Sequence, residues 1–270
     1  MELSIVSSHY NEDLSWLHHS NYPVFVVSKE GGKHVNEKNF FKFHKIPNRG
    51  SEFGSYLWFI CNYWNSLPEK IAFIHGHEYS THQCIPIFKA IELFKGKEFH
   101  GLNGPRIVAY YYFFEDVPNL WFNNPLNVWS HIGLNRFFCM PKQFVFQGAT
   151  QTILSKRLIK FYPKQFYEDI LTRIMSASEE EAWYIGLFLE LVWHTLFQQS
   201  AINFELIDME INNHCIQNKT TIALLGKNRV WCSRFQNVIV FKECEDHNEW
   251  SKSCREILFS KDLWNNNIIV

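Results

Sequence analysis

Residues 48–82, NRGSEFGSYLWFICNYWNSLPEKIAFIHGHEYSTH, decide the fold predicted for this chain. A glycine-containing turn is followed by an aromatic-rich helix over 52–64, a turn marked by Pro68 and a short apolar strand over 71–75. Open α/β sheets bind their ligands beyond the carboxyl ends of buried strands. Residues able to bind a ligand gather at the end of this strand: His75, His77, Glu78 and His82. The stretch therefore predicts a central strand with a site at its end.

The segments before this stretch predict an opening β-α-β unit. LSIVSSHY (3–10) and PVFVVSK (23–29) are short β-rich runs, and NEDLSWLHH between them predicts a helix capped by Asn11. Residues 33–47 predict a polar loop. Alternating strands and helices favour an α/β fold with a mainly parallel, doubly wound sheet flanked by helices. The strands expected to be neighbours are 3–8, 23–28, 71–75 and 106–114.

The segments after this stretch predict more helices, and near residue 200 the sequence pattern changes from helical to strand-like. RIVAYYYFFED (106–116) is the strongest candidate for a central strand, residues 117–143 predict a long ordered loop, and 144–155 predict a strand or hairpin. After 200, short alternating runs separated by turn residues predict a small antiparallel β appendage. Two domains follow, 1–200 and 201–270. The predicted helices are 85–98, 156–161, 163–175 and 179–198.

Composition narrows the classes of function. The net charge of −1 does not indicate binding to nucleic acid. The seven cysteines contain no C-x-x-C pair, and this pattern favours a reducing compartment. The longest apolar stretch, 183–197, is interrupted by Glu190 and His194 and is too short to cross a bilayer. The N-terminus lacks the order of a signal peptide. We therefore expect a soluble cytoplasmic protein with no membrane span.

The motifs of P-loop, dinucleotide-binding and α/β-hydrolase proteins are absent from the sequence.

Several sequence blocks resemble, in order, a widespread family described only as a domain of unknown function. The family is similar to glycosyltransferases of the GT-A fold, and the resemblance covers residues 3–198. It implies a GT-A-like domain that transfers a sugar from a nucleotide sugar, most readily a UDP-sugar, to a hydroxyl of a glycan acceptor. The blocks are HYNEDLSWL (9–17), the Gly31-Gly32 turn, NRGSE with Tyr56-Leu57, NYWNSLP (62–68), FIHGH (73–77), QGATQTILSKRLIKFYPKQFYEDIL (147–171) and FLELVWHTLF (188–197).

The resemblance also implies where the donor and acceptor bind. The loop after the first strand would hold the base and ribose, and the segment before the helix at 52–64 would meet the diphosphate and sugar, for which an arginine is well suited. Gln147 would begin a segment on the acceptor side. The implied donor residues are Asn11, Glu12, Asp13, Asn48, Arg49 and Glu52. A helix cap at Asn11 and a solvated loop at 48–52 are the structural alternatives.

The chain departs from the family pattern at the metal site. GT-A enzymes carry Asp-x-Asp where this chain has His75-Gly76-His77. Imidazoles bind manganese or zinc better than magnesium. Either His75, His77 and Glu78 hold a softer metal such as manganese, or the reaction needs no metal. Hydrogen-bonded turn histidines are the structural alternative. A zinc peptidase is disfavoured, because His77 and His82 are five residues apart and would lie on different faces of a helix.

Glu190 and His194 are candidates for acid–base chemistry. They are four residues apart in a helical segment and so share a face. A carboxylate among apolar neighbours has a raised pKa, which suits a general base near neutrality. Glu190 is the first candidate for the base, with His194 as its partner, and Asp116 is the second candidate. A structural Glu–His pair is the alternative.

At the level of the whole protein, the rival hypothesis is a non-catalytic carbohydrate- or nucleotide-binding protein on the same fold.

Overall fold

The structure is a computed structural model that describes residues 2–78, 86–102, 107–109, 129–136, 144–146, 150–197, 231–234 and 237–240. Its strands are Leu3–His9 (β1), Val24–Lys29 (β2), Lys42–Ile46 (β3), Lys70–Ile74 (β4), Phe99–Gly101 (β5), Ile107–Ala109 (β6), Phe144–Phe146 (β7), Thr152–Ser155 (β8), Trp231–Arg234 (β9) and Asn237–Val240 (β10). Its α-helices are Ser51–Asn62 (α1), Ile87–Phe94 (α2), Lys156–Ile159 (α3), Lys164–Ser176 (α4) and Glu179–Phe197 (α5).

A six-stranded mixed sheet lies at the centre of the fold, in the order β3-β2-β1-β4-β8-β5. β3, β2, β1 and β4 run parallel to one another. β8 lies antiparallel between β4 and β5. The prediction of a mainly parallel α/β sheet is therefore confirmed. The strand predicted at 71–75 is β4, and it lies inside the sheet, between β1 and β8.

Apolar side chains cover both faces of this sheet because successive residues of a strand point to opposite sides. Ile5 and Ala72 belong to a cluster with α2 and the 3₁₀ turn Ser15–His19, whereas Val6 and Phe73 belong to a larger cluster with α1, α4 and α5. Each large apolar side chain that is fully buried in this way contributes roughly 1.5–3 kcal/mol. Helical segments on both faces were expected from the alternation of strands and helices.

Two sequence predictions about the sheet are wrong. Residues 33–47 were expected to form a loop, but they include β3, an edge strand whose Lys42 and Lys45 face solvent. Charged residues protect exposed strand edges, so an edge strand resembles a loop in composition. The described part of 106–114, β6, pairs with β7 in a separate two-stranded sheet, and β8 occupies the place beside β4. Nothing local in a sequence specifies such a distant partner.

Other predictions differ from the structure in extent. The predicted helix after β1 is only the 3₁₀ turn Ser15–His19. Residues 144–155 supply two strands, β7 and β8, that belong to different sheets. In 201–270 the structure describes one antiparallel pair, β9 with β10, which agrees with the predicted strand type there. The domain boundary near 200 stays a prediction.

Within the part of the chain that the structure describes, no helix has both the length and the apolar character needed to span a membrane.

Candidate functional site

The order of the strands places a crevice between β1 and β4. From β1 the chain proceeds outward through β2 to β3, and then returns to add β4 on the other side of β1. Ligands of open α/β sheets bind at such a reversal, beyond the carboxyl ends of the two strands. Here those ends are 9–12 and 75–77. Residues predicted as donor-binding and residues predicted as metal-binding are thus neighbours at one edge of the sheet.

Glu12 and His77 meet across this crevice. The Glu12 Oε2 atom accepts hydrogen bonds from the amides of Tyr10 (2.6 Å) and Asn11 (3.0 Å), which fix the carboxylate. Its Oε1 atom lies 3.8 Å from Nε2 of His77, and the two side chains are 12% and 11% exposed. Gly76 permits this approach, because a Cβ there would lie 2.9 Å from Glu12 carbons. A carboxylate and an imidazole are therefore held side by side.

His75, beside this pair, is buried and hydrogen-bonded on several sides. Its amide donates to Oε1 of Gln151 (3.1 Å), its Nε2 shares a hydrogen bond with the Thr150 hydroxyl, and its carbonyl accepts from Ser7 Oγ (3.3 Å). Burial, and secondarily the charge of His77, lower the pKa of His75 to about 3. Its imidazole is therefore neutral near pH 7.

Thr150 and Gln151 are site residues that sequence reasoning missed. Both are buried, and they immediately precede β8. Because β8 runs antiparallel to β4, its first residues reach the same edge of the sheet as the last residues of β4. The signal in the sequence was two polar residues that open the apolar run TILS.

Lys29, at the end of β2, was also missed. It is 4% exposed, and its Nζ donates to the carbonyl of Arg49 at 2.6 Å. Burial lowers the pKa of Lys29 to about 8, although the Glu52 carboxylate acts in the opposite direction. The signal was a lysine that closes the apolar run PVFVVSK, at the carboxyl end of the strand.

The turn 48–52, predicted to meet the diphosphate, forms the start of α1. Gly50 and Ser51 have φ of 68° and 49°, the left-handed region that a residue with a side chain seldom adopts. Arg49 lies in an ion pair with Glu179 of α5 at 3.2 Å, and Glu52 accepts a hydrogen bond from the Ser51 hydroxyl. Asn48 is exposed. Strained backbone of this kind clusters at functional sites.

The loop after β1 has structural contacts of its own. Asp13 accepts from the amide and the hydroxyl of Ser15, each at 2.9 Å. The Asn11 side chain accepts from the amide of Lys33 at 3.1 Å. The prediction that Asn11 caps this segment is therefore wrong: the N-cap of the 3₁₀ turn is Leu14, with no side-chain cap hydrogen bond, and Asp13 holds the first residue of the turn.

Glu190, the first candidate for the base, lies on α5, which packs against α1. It is half-buried on α5, and the buried hydroxyl of Tyr56 lies within range of its charge. Burial raises the pKa of Tyr56 well above its usual value, and the carboxylates of Glu52, Glu190 and Glu12 raise it further. The charges of three carboxylates from separate parts of the chain thus act on one phenol. The side chain of His194, and all of Asp116 and Gln147, lie outside the described residues.

The two histidines predicted to hold a metal make other contacts within the protein. Across the described ranges, no three or more His, Cys, Asp or Glu side chains converge as a metal ion requires. Nε2 of His75 is engaged with Thr150, and Nε2 of His77 faces Glu12. These contacts engage the two Nε2 atoms that the predicted site would offer to a metal, and the metal site stays a prediction.

Comparison with known proteins gives one match. Residues 4–95 match the model of a family described as a protein of unknown function (DUF3431). No curated protein matches the chain, and no solved structure matches it. The matched segment runs from β1 to the end of α2, so it contains Glu12, Lys29, the turn 48–52, His75 and His77. The resemblance to a family of unknown function is supported over this segment.

Proposed function

We propose that this protein is a glycosyltransferase that moves a sugar from a nucleotide-sugar donor to a hydroxyl of a glycan acceptor. The observation that carries the proposal is the polar edge of the sheet at the reversal between β1 and β4. Glu12 and His77 face each other there, in a segment where an α/β sheet binds nucleotides. The sequence resemblance to GT-A enzymes supports the same location.

The donor would lie across the carboxyl ends of β1 and β2. Asn11, Glu12 and Asp13 would face the base and ribose, most readily those of a UDP-sugar. The turn 48–52 would face the diphosphate, where Arg49 supplies a guanidinium near the surface, its side chain 31% exposed. The mechanism proposed here uses no metal, because Nε2 of His75 and Nε2 of His77 already have contacts within the protein.

Glu190 would act as the general base. Its carboxylate would take the proton of the acceptor hydroxyl as that oxygen attacks the anomeric carbon of the donor sugar. The bond from the anomeric carbon to the diphosphate breaks, and the diphosphate leaves with the electron pair. Glu190 is half-buried, and its charge acts on the buried Tyr56 hydroxyl, so it lies near a protein interior that a substrate hydroxyl would have to approach.

The Glu190→Gln variant tests this role. Glutamine keeps the shape but cannot accept the proton, so we expect sugar transfer to fall by roughly 10²-fold or more while the donor still binds. Release of nucleoside diphosphate measures transfer, and the shift of the melting temperature with UDP-sugars measures binding. Glu180→Gln, on the exposed start of the same helix, is the matched control. Full activity in Glu190→Gln excludes Glu190 as the base and directs the search to Asp116.

A non-catalytic nucleotide- or carbohydrate-binding protein is the second candidate. The observation that favours it is the hydrogen-bonded, neutral His75 at the position where Asp-x-Asp would hold a metal. A panel of nucleotide sugars, with and without manganese, separates the two functions. A melting shift together with donor-dependent release of nucleoside diphosphate supports the enzyme. A shift with no release supports the binding protein.

A further inference from the structure

Lys29 is the buried charge that the proposed reaction does not use. Its Nζ is enclosed between the Arg49 carbonyl, to which it donates at 2.6 Å, and Gly54, where a Cβ would lie 2.8 Å from it. These two residues belong to the first turn of α1 and to the segment that leads into it. The ammonium therefore joins the end of β2 to the turn 48–52.

We propose that Lys29 is a positioning residue, whose ammonium holds the turn 48–52 in the conformation that binds the nucleotide-sugar diphosphate. The proposal rests on the proposed function, because it takes this turn as part of the donor site. Lys29 would act through the Arg49 carbonyl. That contact orients the residue whose guanidinium reaches the protein surface and pairs with Glu179.

A purely structural role explains Lys29 less well. Burying a charge costs stability, and an apolar side chain of similar volume often serves a core better than an ion does. A cation beside the first turn of a helix also opposes the helix dipole. Glu52 is the charged group that offsets these costs, and the Arg49 guanidinium is turned toward Glu179. A residue that costs stability at a strained turn is more readily explained by function.

The free energy of unfolding should depend on pH through the ionisation of Lys29. The folded protein releases the Lys29 proton near pH 8, whereas the unfolded chain keeps it to about 10.5. Between these values the unfolded chain binds more protons, so raising the pH stabilises the folded state. The variant Lys29→Met removes this dependence. We therefore expect K29M to be at least as stable as the wild type at pH 7, with this advantage shrinking toward pH 10.

The test is hydrogen exchange of the full-length protein without ligand, together with its melting response to UDP-sugars. In K29M we expect amides of 49–54 to exchange at least about 10-fold faster than in the wild type, and the melting shift with UDP-sugars to be lost. Lys29→Gln keeps one N–H donor and should restore part of the protection. Lys45→Met, at a 59%-exposed lysine of the neighbouring strand β3, is the matched control and should change neither measurement.

Unchanged exchange of 49–54 in K29M overturns the proposal. A K29M protein that fails to fold, or is less stable than the wild type at pH 7, also overturns it, because Lys29 is then structural. The exchange and stability measurements contain no nucleotide. If the wild type binds no nucleotide sugar while the exchange result is as expected, the proposed function fails and the role of Lys29 in holding the turn stands.

Discussion

At the scale of single residues, the environment of each side chain decides its chemistry. His75 and His77 are two residues apart and their ring centres are 6.3 Å apart, yet their surroundings differ. His75 is enclosed by Thr150, Gln151 and Ser7, whereas His77 faces the Glu12 carboxylate. The sequence predicted two equivalent ligands. The structure instead separates a buried, neutral histidine from one held beside an anion.

The buried state of His75 predicts a loss of stability in acid. The unfolded chain takes up a proton at this residue near pH 6.5, the folded protein only near pH 3. Below 6.5 the unfolded chain therefore binds more protons, and the free energy of unfolding falls as the pH is lowered from 6.5 toward 3. Urea unfolding of the wild type and of His75→Gln across this range measures the difference. His34→Gln, at an exposed histidine, is the control. Parallel acid slopes in wild type and His75→Gln would contradict the prediction.

At the scale of elements, the contact between α1 and α5 supports the turn 48–52, where we propose that the donor diphosphate binds. Gly186 of α5 lies directly against the Gly50 carbonyl and the Ser51 Cβ, at the turn where both residues have positive φ. On the same helix, Glu190 lies one turn further on and Trp193 packs edge-on against Phe53 at 4.9 Å. One helix thus supports the strained turn and carries the proposed base.

Gly186→Ala tests this contact. Alanine favours a helix interior by about 1 kcal/mol over glycine, but a Cβ at 186 would lie 2.7 Å from the Gly50 carbonyl oxygen. We expect the steric cost to dominate and the free energy of unfolding to fall by about 1–3 kcal/mol. Gly96→Ala is the matched control, because no atom lies within 4 Å of a Cβ there. A variant at 186 more stable than the wild type would show that the two helices separate without cost.

At the scale of the whole molecule, the described core is built by residues 3–197. Its two apolar clusters cover the two faces of the six-stranded sheet, and every strand of that sheet lies before residue 156. Residues within 201–270 supply the pair β9 and β10, which forms its own two-stranded sheet. The domain boundary near 200, inferred from the change in sequence pattern there, stays a prediction.

A protein that ends at residue 200 is therefore expected to fold on its own. Its far-ultraviolet circular dichroism should keep the α/β signature, and its thermal unfolding should stay a single cooperative transition, because both clusters are intact. The full-length chain measured under the same conditions is the reference. A shortened protein that aggregates, or that melts without a cooperative transition, would place residues 201–270 in the same folding unit.

Local patterns in the sequence predict several elements of this fold correctly. The apolar runs that became β1, β2 and β4, and the aromatic helix α1, are continuous patterns with recognisable ends, so their type and order follow from periodicity and turn residues. Parallel strands place their carboxyl ends at the same edge of the sheet. This is why the sequence could predict that residues after β1 and residues after β4 lie near one another.

Tertiary packing brings distant segments of the chain to this edge of the sheet. Thr150 and Gln151 reach His75 because β8 inserts antiparallel beside β4, and Lys29 reaches Arg49 because α1 begins above the end of β2. Such pairings are set by the burial of surfaces far apart in the chain, and no local pattern encodes them. The charge state of His75 and of Lys29 is likewise a property of desolvation, which exists only once the chain has packed around them.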